Sequence, residues 1–377
     1  MNKEYLQKQF NRTYGCEPSH FFSAPGRTEL IGNHSDHQHG RVLSSAIKQS
    51  VYAAVEPSND GIIRIASEGY EPFEIELSDL SIHPEEIGTT ASLVRGVAAG
   101  FESPKAFRAF IYSDVPAGKG LSSSAAFEVL IARILNELGE CGLSEIDIAS
   151  IGMNAENKYY GKPCGMQDQT ISSVGKTVMV DFFDPANPHI EEMPYDPRSH
   201  GYALCIMDTG ASHDDLTDDF SSIIEDMAVI AKHYGEEHLR HISKEQFFAE
   251  EKMLAKKYGK NVTDRAHHFL LENKRVADAA EALKADNFEE FLRLVNESGR
   301  SSENYLRNIV SSAHPERSEV ADTLALIAKL LDGAGAYRVH GGGFAGTTQA
   351  YVPVDKLDYF RKEIETVLGE GSCLVIF

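Results

Sequence analysis

Val115 to Ala126 reads V-P-A-G-K-G-L-S-S-S-A-A. An apolar run predicted as a strand, Ala106 to Tyr112, leads into it, and the helix-like run Ala125 to Leu138 follows. Glycines let backbone N–H groups approach an anion, and a helix start adds unpaired donors at the positive end of its dipole. Strand, glycine turn, three serines and helix therefore read as a phosphate cradle. It is not a Walker loop, because Gly118 and Gly120 do not fit G-x-x-x-x-G-K-[ST]. Gly175-Lys176-Thr177 comes nearer to that spacing. There, however, Thr170 stands where the first glycine belongs, and a strand-like V-M-V-D-F-F follows in place of a helix.

At 377 residues the chain exceeds the usual range of one domain, so two are expected. A hydrophobic content of 42% is ordinary for a packed globular protein. No run approaches the ~18 apolar residues that a membrane helix needs. The opening residues, M-N-K-E-Y-L-Q-K-Q-F, lack the apolar core of a signal peptide. Five scattered cysteines (Cys16, Cys141, Cys164, Cys205 and Cys373) have no metal-ligand spacing and read as reduced thiols of a cytoplasmic protein. A net charge of −21, from 36 basic and 57 acidic side chains, argues against nucleic acid or an anionic membrane as partner. An anionic small molecule stays open, since a pocket can be locally positive and Mg²⁺ reduces the charge a nucleotide presents. The oligomeric state is not encoded in any of these features.

Periodicity and Gly/Pro punctuation predict a helix over 3–13, strands over 20–32, 42–56, 61–67 and 72–77, and helical spacing over 91–101. The strand and glycine turn above precede helices over 122–138 and 144–160, then a strand over 177–183 ending in the breaker-rich D-P-A-N-P. The second half is helix-heavy until a closing strand, glycine loop, strand, helix, strand series from Ala336 to Phe377. The fold class reads as α+β, with an N-terminal domain over 1–190 and a C-terminal domain over 191–377.

Three further segments carry chemistry. Ser23 to Gly40, S-A-P-G-R-T-E-L-I-G-N-H-S-D-H-Q-H-G, packs an arginine, an aspartate and three histidines between two strand-like runs. An Asp carboxylate accepts two hydroxyl protons and His donates or accepts, which suits a polyhydroxylated ligand. Metal binding by His34, Asp36, His37 and His39 is the competing reading. Asn154 to Gln169 puts Glu156 in a helix pattern and Asp168 on a short constrained loop, where it is a candidate base. Gly333 to Gly346, G-A-G-A-Y-R-V-H-G-G-G-F-A-G, holds three consecutive glycines between strands, implying positive φ or close backbone approach to a ligand or another loop.

In this order and at these separations the segments resemble the GHMP kinases, and most closely the galactokinases. Gly26 to Gly40 matches G-R-x-N-x-I-G-E-H-x-D-Y-x-x-G at Gly26, Arg27, Ile31, Gly32, His34, Asp36 and Gly40. Pro116 to Ala125 meets P-x-x-x-G-L-S-S-S-A in full, Gly165 to Gln169 matches G-I-M-D-Q, and Gly341 to Gly346 matches the third signature. The resemblance implies an N-terminal mixed α/β domain and a ferredoxin-like C-terminal domain with the active site in the cleft between them. It implies an ATP-dependent sugar 1-kinase in which Asp168 takes the proton from the anomeric hydroxyl and Arg27 holds Asp168 ionised. Pro116, Gly118, Gly120, Leu121, Ser122, Ser123, Ser124 and Ala125 would bind ATP, and Ser124 with Glu156 would position Mg²⁺. Sugar binding would fall to Asn33, His34, Asp36, Gly165, Asp168 and Phe220.

The departures from the family concern the sugar. Asn33 stands where galactokinases carry glutamate, His37 and Phe220 replace tyrosines, Arg27-Thr28-Glu29 replaces an arginine-asparagine pairing, and His340 replaces a threonine. Galactose is the first expectation. Galacturonate is the alternative, because His34 to Gly40 also resembles the galacturonate kinases and a neutral Asn33 removes repulsion against an anionic C6 group. A non-catalytic sugar sensor on the same scaffold is the reading from a different class.

Overall fold

The computed structural model describes residues 3–211 and 216–377. The chain divides into two compact units. One holds residues up to Arg27 with Ala46–Ala117 and Leu121–Lys176; the other holds Thr28–Ser45, Gly118–Gly120 and the chain from Thr177 onward. The units are thus interleaved rather than separated by a single cut of the chain.

In the first unit β1 (His20–Ile31) and β2 (Arg41–Pro57) pair, and both strands end or begin in the other unit. Then β3 (Ile62–Ser67), β4 (Phe73–Glu76) and β5 (Phe107–Ser113) continue in the order β4-β3-β5-β2. The β3–β5 pair is parallel, with Arg64 opposite Arg108, whereas β2 and β5 are antiparallel, with Val51 opposite Ser113. The helix Ser123–Leu138 buries Ala125, Ala126, Val129, Leu130 and Ile134 and packs against Glu145–Asn154 and Gln167–Val174. Apolar positions at that spacing form one continuous stripe, which is why the run is helical and faces inward.

The second unit carries β6 (Thr177–Asp181) and β7 (His189–Glu192), with Arg41–Ser45 of β2 paired antiparallel to β6. A separate antiparallel sheet of β8 (Tyr202–Asp208), β9 (Ala336–His340), β10 (Thr347–Pro353) and β11 (Cys373–Val375) runs in the order β11-β8-β10-β9. Helices Glu319–Leu331 and Leu357–Leu368 cover it through Ile327, Leu331, Phe360 and Ile364. Among the described residues no helix is long and apolar enough to cross a membrane.

Two local expectations need correction. Asp168 is not on a loop: it lies in the first turn of a helix, Gln167–Val174, opened by Met166 after Gly165. The polar run Q-D-Q-T hides that element from periodicity. The predicted helix over 144–160 stops being α-helical at Asn154 and continues as a π-helical turn, Ala155–Tyr160, which contains Glu156. π-Turns recur at functional sites, because the extra residue rotates the side chains that follow it.

Candidate active site

Arg27 and Asp168, 141 positions apart, meet in the first unit. The guanidinium Nε and Nη2 both lie 2.7 Å from Asp168 Oδ1. Arg27 is nearly buried, its side chain 8% exposed, while that of Asp168 keeps 34% open. The strand carrying Arg27 is fixed by Arg27 N donating to Leu121 O at 3.1 Å, and Gly26 allows the approach: a Cβ there would sit 2.7 Å from the same oxygen. Ser122 Oγ donates to Asp168 Oδ2. Enclosure by protein would push the Asp168 pKa up. The charge of Arg27, the Ser122 hydroxyl and the guanidinium hydrogen bonds outweigh it, helped by Lys162, and hold the carboxyl below its ordinary range.

Ser122 occupies the N-cap position of the helix Ser123–Leu138, but its side chain does not cap it. With the hydroxyl given to Asp168, the first-turn N–H groups keep their donors for an anion. The backbone prepares the same end. Gly118, Gly120 and Ser122 have φ of 72°, 65° and 55°, and Lys119, Leu121 and Ser123 are not in that region. Alternation of this kind turns successive N–H groups toward one side, a nest for phosphate oxygens. Ser122 is a non-glycine residue in the left-handed region, a strain of about 1–2 kcal/mol that persists only where the surroundings impose it. Leu121 and Ala125 are buried and anchor the turn; Pro116 and Ser123 are half-buried beside them.

Ser124 Oγ lies 3.4 Å from Glu156 Oε1. A hydroxyl and a nearly buried carboxylate side by side are the hard oxygen donors that Mg²⁺ takes, so the pair fits that ion. Lys162 Nζ sits 3.3 Å from the same Glu156 oxygen. Behind it, Gln169 Nε2 donates to Glu156 Oε2 and Glu128 Oε2, both at 2.9 Å. Burial, and then the charge of Glu156, push the Glu128 pKa well above the carboxylate range. Sequence reading missed Glu128, Lys162 and Gln169. Glu128 had a signal, since it is one helical turn from Ser124 on the same face.

The second unit carries the other predicted residues apart from Gly165. Asn33 is 1% exposed with all its amide capacity engaged. It donates to Gly341 O at 2.6 Å and Glu29 Oε1 at 3.3 Å, and accepts from Asn308 Nδ2 at 2.8 Å and Ser302 Oγ at 3.3 Å. The adjacent His34 puts Nε2 2.9 Å from Gly342 O and Nδ1 3.3 Å from His37 Nε2. Burial lowers the pKa of His34, and that of His37 well below ordinary, so both rings are neutral hydrogen-bonding groups. Asp36 Oδ1 accepts from His37 N at 2.9 Å. Phe220 lies against the glycine loop, where a Cβ on Gly342 would come 2.5 Å from its Cε1. The triple glycine thus provides close approach to the helix Thr217–His233, which carries Phe220. Gly165, half-buried, lies in the turn that precedes Met166 in the first unit. His39 stacks on His238 with ring centroids 3.6 Å apart. Among the described residues no group of three or more His, Cys, Asp or Glu side chains is arranged to hold a metal ion.

The chain is similar to known proteins along nearly its whole length. Residues 8–57 match the galactokinase galactose-binding signature and residues 89–176 the GHMP kinases N terminal domain. A galactokinase of Actinobacillus pleuropneumoniae serotype 5b (strain L20) is 32% identical over 369 residues, covering 96% of this chain and 92% of its own. One from Haemophilus influenzae is 32% identical over 365 residues, covering 95% and 91%. The crystal structure of Lactococcus lactis galactokinase complexed with galactose superposes with a TM-score of 0.83 at 24% identity, covering 99% of this chain and 97% of that one. Its fold is the two-domain α+β fold of the GHMP kinases. Identity at this level along nearly the whole length shows that the chain belongs to the galactokinase family.

Proposed function

We propose that the protein transfers the γ-phosphoryl group of ATP to the anomeric hydroxyl of galactose. The observation that carries this reading is Asp168 held by Arg27 and Ser122 beside a helix end that the Ser122 side chain does not cap. In the reaction the sugar oxygen forms its bond to Pγ as the bond from Pγ to the β–γ bridging oxygen breaks. ADP leaves with that electron pair, and Asp168 receives the hydroxyl proton. A carboxylate with a depressed pKa is a weak base, so its larger contribution is to orient the hydroxyl. That accords with phosphoryl transfer, which rests on positioning and charge neutralisation.

Arg27 keeps Asp168 ionised, and its positive charge would offset the charge of the phosphoryl group in transfer. The turn 118–123 and the first turn of the helix at Ser123 bind the phosphates through backbone N–H. Ser124 and Glu156 would hold Mg²⁺, which when bound neutralises charge on the β- and γ-phosphates. His34 and Asp36 would bind sugar hydroxyls, His34 exchanging its contacts with Gly342 O and His37 Nε2 for them; an imidazole and a carboxylate offer the donor and acceptors a hydroxyl needs. Phe220 shapes the glycine loop against which that segment lies.

An uncharged acceptor is favoured over galacturonate by the ion pairs around the loop. Arg338 pairs with Glu29 at 2.8 Å, Arg265 with Asp226 at 2.6 Å, and Arg275 with Glu272. Guanidinium groups already matched by carboxylates offer a uronate little charge. Incubating the protein with MgATP and galactose, galacturonate, arabinose or N-acetylgalactosamine tests the reading. Galactose-dependent ADP release is expected to exceed the others; absence of release with every sugar refutes the assignment.

A further inference from the structure

Lys119 stands in the middle of the phosphate-binding turn, and no role above uses it. Its Nζ is ion-paired with the carboxylate of Asp208, the last residue of β8. The side chains are 35% and 16% exposed. The turn is seated firmly at that place. A Cβ on Gly120 would come 2.5 Å from Thr347 Oγ1 and 3.0 Å from His340 Nδ1, so the backbone lies directly on both side chains. Thr347 is the cross-strand partner of Asp208. The buried His340 is held on both ring nitrogens, Nδ1 at 2.9 Å from Thr347 Oγ1 and Nε2 at 3.0 Å from Thr28 Oγ1. Residue 119 therefore has a fixed backbone and a side chain drawn to one carboxylate.

Two observations give that lysine a use. It sits within the run of alternating φ from Gly118 to Ser123, whose N–H groups favour an anion. Its pair with Asp208 leaves the Lys119 side chain 35% exposed, whereas that of Arg27, paired with Asp168, is 8% exposed. An ammonium has three donors, and one carboxylate oxygen uses one of them. A partly exposed ion pair contributes little to stability, so Lys119 can share or change partners at small cost.

We propose that Lys119 binds the terminal phosphates of the nucleotide and that Asp208 is the positioning residue that holds its ammonium beside the turn. The proposal rests on the kinase reading for the identity of the anion. Calorimetric titration of the full chain with ADP and with adenosine, without sugar, separates the two. Lys119→Ala is expected to weaken ADP binding by about tenfold or more, the loss of one charge-assisted hydrogen bond, with adenosine binding unchanged. Lys119→Arg should stay within about threefold of the parent, as expected of a retained cation. Asp208→Asn should weaken ADP less than Lys119→Ala does. The double variant should match Lys119→Ala alone, because Asp208 acts through the lysine. In turnover, KM for ATP should rise while KM for galactose holds. If the alanine variant does not fold, Lys119→Gln removes the charge and keeps the reach. Unchanged ADP affinity with a lowered melting temperature, or additive losses in the double variant, overturns the proposal and makes the pair a clamp of the fold. Turnover of no sugar alongside the expected ADP pattern overturns the sugar-kinase reading alone.

Discussion

Asp168 shows how far one side chain can be taken from its residue type. A carboxylate partly enclosed by protein would ordinarily rise in pKa; Arg27 and Ser122 reverse the sign. A group ionised below the usual carboxylate range does not limit the rate on the acid side until the pH falls under that range, so the rate should stay flat in acid until the fold fails. Asp168→Asn keeps the size and loses the proton acceptor. Its kcat is expected to fall by roughly 10²–10⁴-fold, the usual weight of a general base, with far-UV circular dichroism unchanged. Near-parental turnover would remove the base role. Asp168 and Arg27 were both legible in the sequence, through ordered motifs. Their contact was expected only through the family resemblance, because nothing in spacing brings residues 141 apart to 2.7 Å. Asn33 makes the opposite point: a polar residue in a sugar-loop motif has its whole amide engaged by Gly341, Glu29, Asn308 and Ser302. Composition cannot distinguish a ligand-facing amide from a satisfied structural one.

Among the elements, the glycine loop after β9 is the most constrained. Gly343 has φ 83°, and a Cβ there would overlap Asn308; Phe344 N donates to Asn308 O at 2.6 Å. Gly343→Ala combines left-handed strain with a steric overlap that neither backbone can relieve. It is expected to cost about 2–4 kcal/mol, seen as a lower midpoint in urea with an unchanged slope. A midpoint within error of the parent would contradict the packing described. Three adjacent glycines announced close approach, but the partner came from elsewhere in the chain, at 33–34, 220 and 308. The helix holding Asp168 and the π-turn holding Glu156 were the elements least readable in advance. Eight polar-rich residues carry no strong period, and a π-turn differs from an α-turn by one residue, which no propensity resolves.

At the scale of the molecule, acidification should act in two stages. Burial lowers the pKa of His34, His37, His39, His238 and His268, to about 4 for His39 and His268. Their unfolded value is 6.5, so between 6.5 and 4 the unfolded chain binds more protons and stability falls as pH falls. Carboxylates held low, such as Asp168 and Glu272 (about 2), lose their contribution only at still lower pH, below their unfolded values of 3.8 and 4.5. Urea midpoints are expected to drop between pH 6.5 and 5, before these carboxylates titrate. His268→Gln should flatten that slope, since the buried ring hydrogen-bonded to Ser301 Oγ and Asn33 O is then absent. A midpoint independent of pH over that window would contradict the neutral histidine set.

By itself the amino-acid order determined the strand, glycine turn and helix around 107–138, the mixed helix and strand content and the family, because these depend on local period, glycine placement and motifs a few residues long. Only the tertiary structure decided that Gln169 joins Glu128 to Glu156, which amide is already satisfied, and that Lys119 meets Asp208. Those are properties of neighbours distant in sequence, and burial and pairing set them after the chain has folded.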